Sequence, residues 1–171
     1  YIEAKKIFNL KNKDISILIH PSSFIHAIVF FKGKLIKFMA HDTKMTIPIS
    51  NALNIKQKIS ENEYKKNIYH INNLKFSFPN KKKFPLLSVI DLMPEKSSYF
   101  ETVLITLNDT LVSRYLSGDI NYGSIHKNLL NVIKKPYFKK YYKLKPNNIY
   151  DIKKMIKITE NYLKLNIKYY D

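Results

Sequence analysis

His20 and His26 bracket the pentapeptide Pro21-Ser22-Ser23-Phe24-Ile25, which brings two imidazoles and two hydroxyls into one short stretch. An imidazole exchanges its proton near neutral pH, and a serine hydroxyl donates to an anion or accepts from a backbone amide. Two readings follow. In one, the stretch is the lip of a pocket that offers these groups to an anionic ligand. In the other it joins two strands, its hydroxyls cap backbone groups and its imidazoles are satisfied locally. His41-Asp42 has the makings of an acid–base pair, but neighbours on a strand point to opposite faces, which favours a structural role. His70 and His126 sit among lysines and asparagines and are expected at the surface.

The carboxylates Glu3, Asp14, Asp42, Asp91, Asp109 and Glu160 are scattered singly, and no pair has the local spacing of a metal site. Asn108-Asp109 interrupt a helical apolar stripe and are expected to bond into a neighbouring element. Met45 precedes a turn at Thr46 and Pro48, where a soft side chain presses on a ligand or fills a gap. Cysteine is absent, which removes disulfides, thiolate metal ligands and thiol nucleophiles. The three glycines, Gly33, Gly118 and Gly123, cannot form a dinucleotide fingerprint or a P-loop.

These groups need elements to hold them. Ile2 to Leu10 has the pattern of a helix end, and Ile15, Ile17 and Ile19 alternate as a strand would, up to Pro21. Phe24 to Phe31 and Leu35 to Ala40 are β-rich runs around Lys32-Gly33-Lys34, a hairpin turn. Thr46 and Pro48 open a helix. Residues 54–73 are polar and have the character of a connector, followed by a short extended piece from Leu74 to Phe78. Beyond it the period becomes helical. Phe84 to Met93 is one apolar segment; Phe100, Val103, Leu104, Leu107, Leu111 and Tyr115 form a stripe ending near Gly118; Ile125, Leu129, Val132 and Ile133 form the next, stopped by Pro136. The last stripe runs through Ile149, Ile152, Ile156, Thr159, Leu163 and Ile167, with Asn148 as its cap. The expected fold class is α+β: a strand-rich segment followed by a small helical bundle.

The 171 residues carry 30 basic against 13 acidic side chains, a net charge of +17. Such a balance raises nucleic acid as a partner, since clustered cations neutralise phosphates. Only Arg114 is an arginine, however, and a base reader depends on the guanidinium fork. Lysine, isoleucine, asparagine, tyrosine and phenylalanine are the residues of A/T-rich codons, so base composition accounts for the set and nucleic acid is not expected as the partner. No stretch approaches the roughly 20 apolar residues of a membrane-spanning helix, and no membrane partner is expected. Tyr1 is no initiator, and the chain has the look of a piece of something longer.

Tyr1-Ile2-Glu3-Ala4, then Leu18-Ile19-His20-Pro21 with Ser23 and Ile25-His26, resemble the "YIEA…LF…IHPQSxIHSxV" stretch of the 1-deoxy-D-xylulose 5-phosphate reductoisomerase family. Met45 with Pro48-Ile49 resembles its "PDMRxPI"; Leu74, Phe76, Pro79 and Phe84-Pro85 resemble its "LTFxxPxxxxFPCLxLA"; Leu104 and Asn108 resemble "LNAANE", and Leu116 to Ile120 the "FLxxxI" after it. Several unlike blocks in the same order are more specific than any one alone. The resemblance implies an enzyme of isoprenoid precursor synthesis that isomerises 1-deoxy-D-xylulose 5-phosphate and reduces the intermediate to 2-C-methyl-D-erythritol 4-phosphate. NADPH and Mg²⁺ or Mn²⁺ are its implied cofactors, the sugar phosphate its substrate, a homodimer its assembly, and bacterial cytoplasm or a plastid-type organelle its location.

The same resemblance divides the chain into the end of a catalytic and dimer-forming region (residues 1–54), a connector (55–83) and a C-terminal helical domain (84–171). It places Tyr1 just after the family's "NKGLE", whose asparagine and lysine hold the phosphate and whose glutamate holds the metal. Cofactor and metal residues, and all catalytic ones, then lie upstream, and this segment alone is expected to be inactive. Ser23 takes the place of the serine that lies near the substrate phosphate and reaches it through water, and Met45 that of a methionine packing against the substrate's carbon chain. His26 and His20 take the places of residues that orient this region without touching substrate. Departures stand beside these matches: Thr43-Lys44 replace "PD", Ser22 a glutamine, Ala27 a serine, and Ile105 to Asp109 replace "NAANE". Drift in an A/T-rich genome produces such changes, and so does decay to an inactive copy. The alternative function is a basic interaction module that binds RNA or an assembly partner without catalysis.

Overall fold

The longest apolar stripe becomes the longest buried helix. In the computed structural model, which describes residues 1–56 and 58–166, α4 spans Tyr99–Leu116 and buries Phe100, Val103, Leu107 and Leu111 completely. Ser98 opens α4 with a capping box: its hydroxyl accepts from Phe100 N–H, and Glu101 reaches back to Ser98 N–H at 3.1 Å. Gly118, at φ +81°, closes it. Its N–H bonds Tyr115 O and the next N–H, of Asp119, bonds Arg114 O, a Schellman ending that only the left-handed conformation allows.

α4 packs against α5 (Tyr122–Ile133) and α7 (Ile149–Asn166). α5 presents Ile125, Leu129, Val132 and Ile133 inward and is capped by Asn121, whose side chain accepts from Ser124 N–H. α7 presents Met155, Thr159 and Leu163, and Asn148 caps it through Asp151 N–H at 3.0 Å. Ile167, the expected end of that stripe, lies outside the described residues. Pro136, expected as a stop, also starts the four-residue helix α6 (Pro136–Lys139), which seats Phe138 in the core. The apolar run after Phe84 winds as a 3-10 helix, Pro85–Leu92. The first helix, α1 (Ile2–Ile7), belongs to the same compact unit, formed by Tyr1–Ser16 with Asn80–Asp171.

The second unit, Ile17–Pro79, holds the sheet. It is one antiparallel hairpin, β1 (Ile25–Phe30) with β2 (Ile36–Ala40), turning at Lys32-Gly33-Lys34 as the sequence predicts, with a bulge between Ile25 and Ala27. α2 (Thr46–Ala52) starts where Thr46 and Pro48 predict.

Two expectations are corrected or sharpened here. The first half is not strand-rich: the molecule is mostly helical, α+β with two strands among the described residues. Ile15, Ile17 and Ile19 alternate without becoming a strand, because Ile19 alone of the three forms a β-bridge, bonding Ser77 in both directions at 2.8 and 3.1 Å, while Ile15 N–H turns back to Asn12 O. Within 55–83, expected as a connector, Glu61–Asn72 forms α3. Its polarity on nearly all sides hides the helical period, but Ser60 and Glu63 form a complete capping box at its start. No helix among the described residues is long and apolar enough to cross a membrane.

Candidate functional site

His20 ends the extended piece paired with Ser77, and Pro21 forces the chain to turn there. The turn closes with Ser23 N–H on His20 O at 3.1 Å, which holds Ser23 at φ +53°. Few side chains adopt that conformation, so the turn is fixed by its bonds rather than by preference.

Those bonds form a chain. His20 Nδ1 lies 3.0 Å from Lys75 O, and a carbonyl only accepts, so Nδ1 carries a proton and donates it. Nε2 bonds the Ser22 hydroxyl, 2.8 Å away, while Ser22 Oγ accepts from Phe24 N–H at 3.4 Å. Phe76 packs on the same ring with centroids 5.0 Å apart. For His20 and Ser22 the local reading therefore holds. Ser23 differs: it is exposed, and its hydroxyl has no partner among the described residues.

Three residues on, His26 donates from Nε2 to His41 O at 3.2 Å, and the two imidazoles stack at 3.8 Å, 15° from parallel. His41 Nδ1 turns to the carbonyl of Asp42, not its carboxylate, at 2.6 Å. The carboxylate is engaged elsewhere, by Lys66 Nζ and by Thr43 N–H, both at 2.7 Å. The Lys66 bond, then the Thr43 amide, hold Asp42 below its ordinary carboxyl range. His41-Asp42 is thus no acid–base dyad. His70 departs from a plain surface position by stacking on Phe24, which is 4% exposed, at 5.0 Å.

Met45 immediately precedes α2 and is 68% exposed. Ser23 and His26 are exposed too, so three of the four expected site residues lie on open surface, and His20 is half-buried. Two cavities among the described residues include none of them. One, of about 430 Å³, lies wholly in the helical unit between α1, the 3-10 segment and α4, walled by Ile2, Leu86, Ile90, Met93 and Leu104, with Asn108 as its polar edge. The other is polar and holds Asp109, Arg114, Glu160 and Lys164. Sequence reasoning missed both. The signal for the first was present in the apolar Phe84–Met93 run and in Asn108 on the stripe beside it. Among the described residues no three His, Cys, Asp or Glu side chains converge to hold a metal ion.

Against this geometry, the family described as DXP reductoisomerase C-terminal domain matches residues 41–162. The chain is 38% identical over 156 residues to 1-deoxy-D-xylulose 5-phosphate reductoisomerase of Pelagibacter ubique (strain HTCC1062), covering 90% of this chain and 40% of the relative. With the enzyme of Persephonella marina (strain DSM 14350 / EX-H1) it shares 32% over 169 residues, 96% of this chain and 44% of that one. The chain therefore spans about two fifths of the length of these curated relatives. Its fold is that of DOX-P reductoisomerase solved with magnesium, at a TM-score of 0.74 and 24% identity over 96% of this chain and 43% of that one. It is also that of the Zymomonas mobilis enzyme solved with NADPH, at 0.73 and 20% over 94% of this chain and 41% of that one.

Proposed function

The chain belongs to the DXP reductoisomerase C-terminal domain family, and from that premise we propose that it is the C-terminal portion of an enzyme that converts 1-deoxy-D-xylulose 5-phosphate to 2-C-methyl-D-erythritol 4-phosphate. The observation that carries this reading is the family match over residues 41–162 together with 38% identity across nine tenths of the chain. In this reading NADPH supplies the hydride and Mg²⁺ or Mn²⁺ the Lewis acid, both held by polypeptide outside these 171 residues. A solved relative carries NADPH, fosmidomycin and magnesium together, which supports the same cofactors for the assembled protein.

This chain's own residues then bind and orient. Ser23 presents an unpartnered hydroxyl on a turn made rigid by the His20–Ser22 chain of bonds, a donor suited to a phosphate oxygen or to the water that carries it. His26, stacked on His41, fixes where β1 begins and so where that turn points. Met45 offers an exposed thioether to the substrate's carbon chain. None of these groups moves a proton in the reaction; Ser23 and His26 place the phosphate end and Met45 the carbon chain. The homodimer implied by the family has support in the hairpin. Val29, Phe30, Ile36, Phe38 and Met39 are all exposed there, and a lone two-stranded hairpin with open apolar faces is marginal unless covered.

The test is NADPH oxidation by the full-length protein with the pentulose phosphate and Mn²⁺. Turnover is expected from the full-length protein and none from the 171-residue segment. A full-length protein that oxidises no NADPH overturns the proposal, and one that binds RNA instead establishes the interaction module.

A further inference from the structure

Lys5 is the one lysine buried among the described residues, at 6% exposure, and nothing in the substrate-binding reading uses it. Its ammonium donates to Asn12 Oδ1 at 2.6 Å and to Pro94 O at 2.7 Å. Asn12 is held in turn on every side. Its Nδ2 donates to Met93 O at 3.0 Å, its backbone N–H to Glu95 Oε2 at 3.1 Å, and the Tyr1 hydroxyl donates to it at 3.3 Å. Next to Lys5, Lys6 pairs with the buried carboxylate of Glu101 at 2.9 Å and bonds Ser97 Oγ. The six residues of α1 are too few to persist by helix propensity alone, so these bonds to segment 93–101 decide how the helix lies.

A methionine or leucine at position 5 would fill the same space without desolvating a charge. What it would not do is choose one direction, because apolar contacts are non-directional and hydrogen bonds to fixed carbonyls are not. We propose that Lys5 is a positioning residue: through Asn12 and Pro94 it fixes the direction of α1 and thereby aligns the reacting groups that the assembled enzyme carries ahead of that helix. The second half of this statement rests on the reductoisomerase reading given above. A small tilt of α1 is a lever on those groups, and a misplacement of about 1 Å costs on the order of 100-fold in rate.

The experiment uses the full-length protein with Lys5→Met and Lys5→Arg. In Lys5→Met, hydrogen exchange of the Ile2–Ile7 amides is expected to quicken about tenfold or more while the amides of α4 and α7 keep wild-type rates. In the same variant kcat is expected to fall about tenfold or more with the Kd for NADPH unchanged, and Lys5→Arg restores most of both. If Lys5→Met does not fold, Asn12→Ala withdraws the acceptor and carries the same expectations. Unchanged exchange at α1, or kcat within about twofold of wild type, overturns the proposal. So does faster exchange spread evenly through α4 and α7, which marks plain destabilisation. A wild-type protein without reductoisomerase activity sinks the reading of function instead, and the exchange at α1 then decides the clamp by itself.

Discussion

The two units bury their apolar residues to very different degrees. In the unit of Tyr1–Ser16 and Asn80–Asp171, Phe100, Phe138, Leu107, Leu111, Leu129, Ile133 and Leu163 are all but inaccessible to water. In Ile17–Pro79, Phe24 alone among the described residues is a buried apolar side chain, while seven large apolar residues between Val29 and Met39 are exposed. The first unit closes its own core, as a self-sufficient domain must. The second keeps apolar surface open, and the residues proposed to meet substrate lie on it. Stability and function are therefore assigned to different stretches of one chain.

Substitution tests that division directly, and its largest effect is expected in the sealed unit. Phe100→Ala removes a ring that is wholly buried and lies edge-on to Tyr142 at 4.7 Å, so it should cost about 3–5 kcal/mol in urea unfolding followed by circular dichroism. Phe38→Ala, on the open hairpin at 52% exposure, should stay within about 0.5 kcal/mol in the isolated segment. A comparable cost at both positions would mean that the hairpin has a covered face, and the contrast between the units would fail.

An intermediate effect separates substrate contact from solvated charge. In the full-length enzyme Met45→Ala should raise KM for the pentulose phosphate by about tenfold, the loss of one apolar contact, with kcat little changed. Lys82→Ala should leave KM within about twofold, because Lys82 is exposed and makes only a backbone bond to Asn80. Equal effects would remove Met45 from the pocket.

The sealed unit was also the part most legible in the sequence. Phe100, Val103, Leu107 and Leu111 recur at helical spacing because one face must meet a core, and Gly118 and Asn148 punctuate their helices for reasons of backbone geometry. In the open unit the pattern has no core to record. Ile15 to Ile19 alternates yet forms a single bridge, and α3, exposed along most of its length, shows only its cap. The site was legible as residue types around His20 and His26, but not as geometry. That Ser22 is spent on His20 while Ser23 stays free depends on a φ of +53° that no spacing encodes. The cavity beside Asn108 escaped notice because its walls come from α1, the Pro85–Leu92 segment and α4, which only folding brings together.

The smallest effect compares one motif across both units. Ser98 with Glu101 and Ser60 with Glu63 make the same capping box, the first buried and the second in water. Ser98→Ala should cost about 1–2 kcal/mol and Ser60→Ala about 0.5 kcal/mol, since water replaces the lost bond only at the exposed end. Acid sharpens the exposed case. The Ser60 amide and hydroxyl, with Lys44 nearby, hold Glu63 below its ordinary range, as Lys66 and Thr43 do for Asp42. A carboxyl depressed on folding contributes stability that is fully present above its unfolded pKa and is lost as pH falls through its folded one. Far-UV circular dichroism of the segment should therefore show a small helical loss only below the ordinary carboxylate range. Ser60→Ala should move that loss upward in pH, because Glu63 then titrates closer to its unfolded value. An unmoved transition would mean that the cap at Ser60 does not hold α3 in solution, and that the open unit relies on a covering partner even for its local structure.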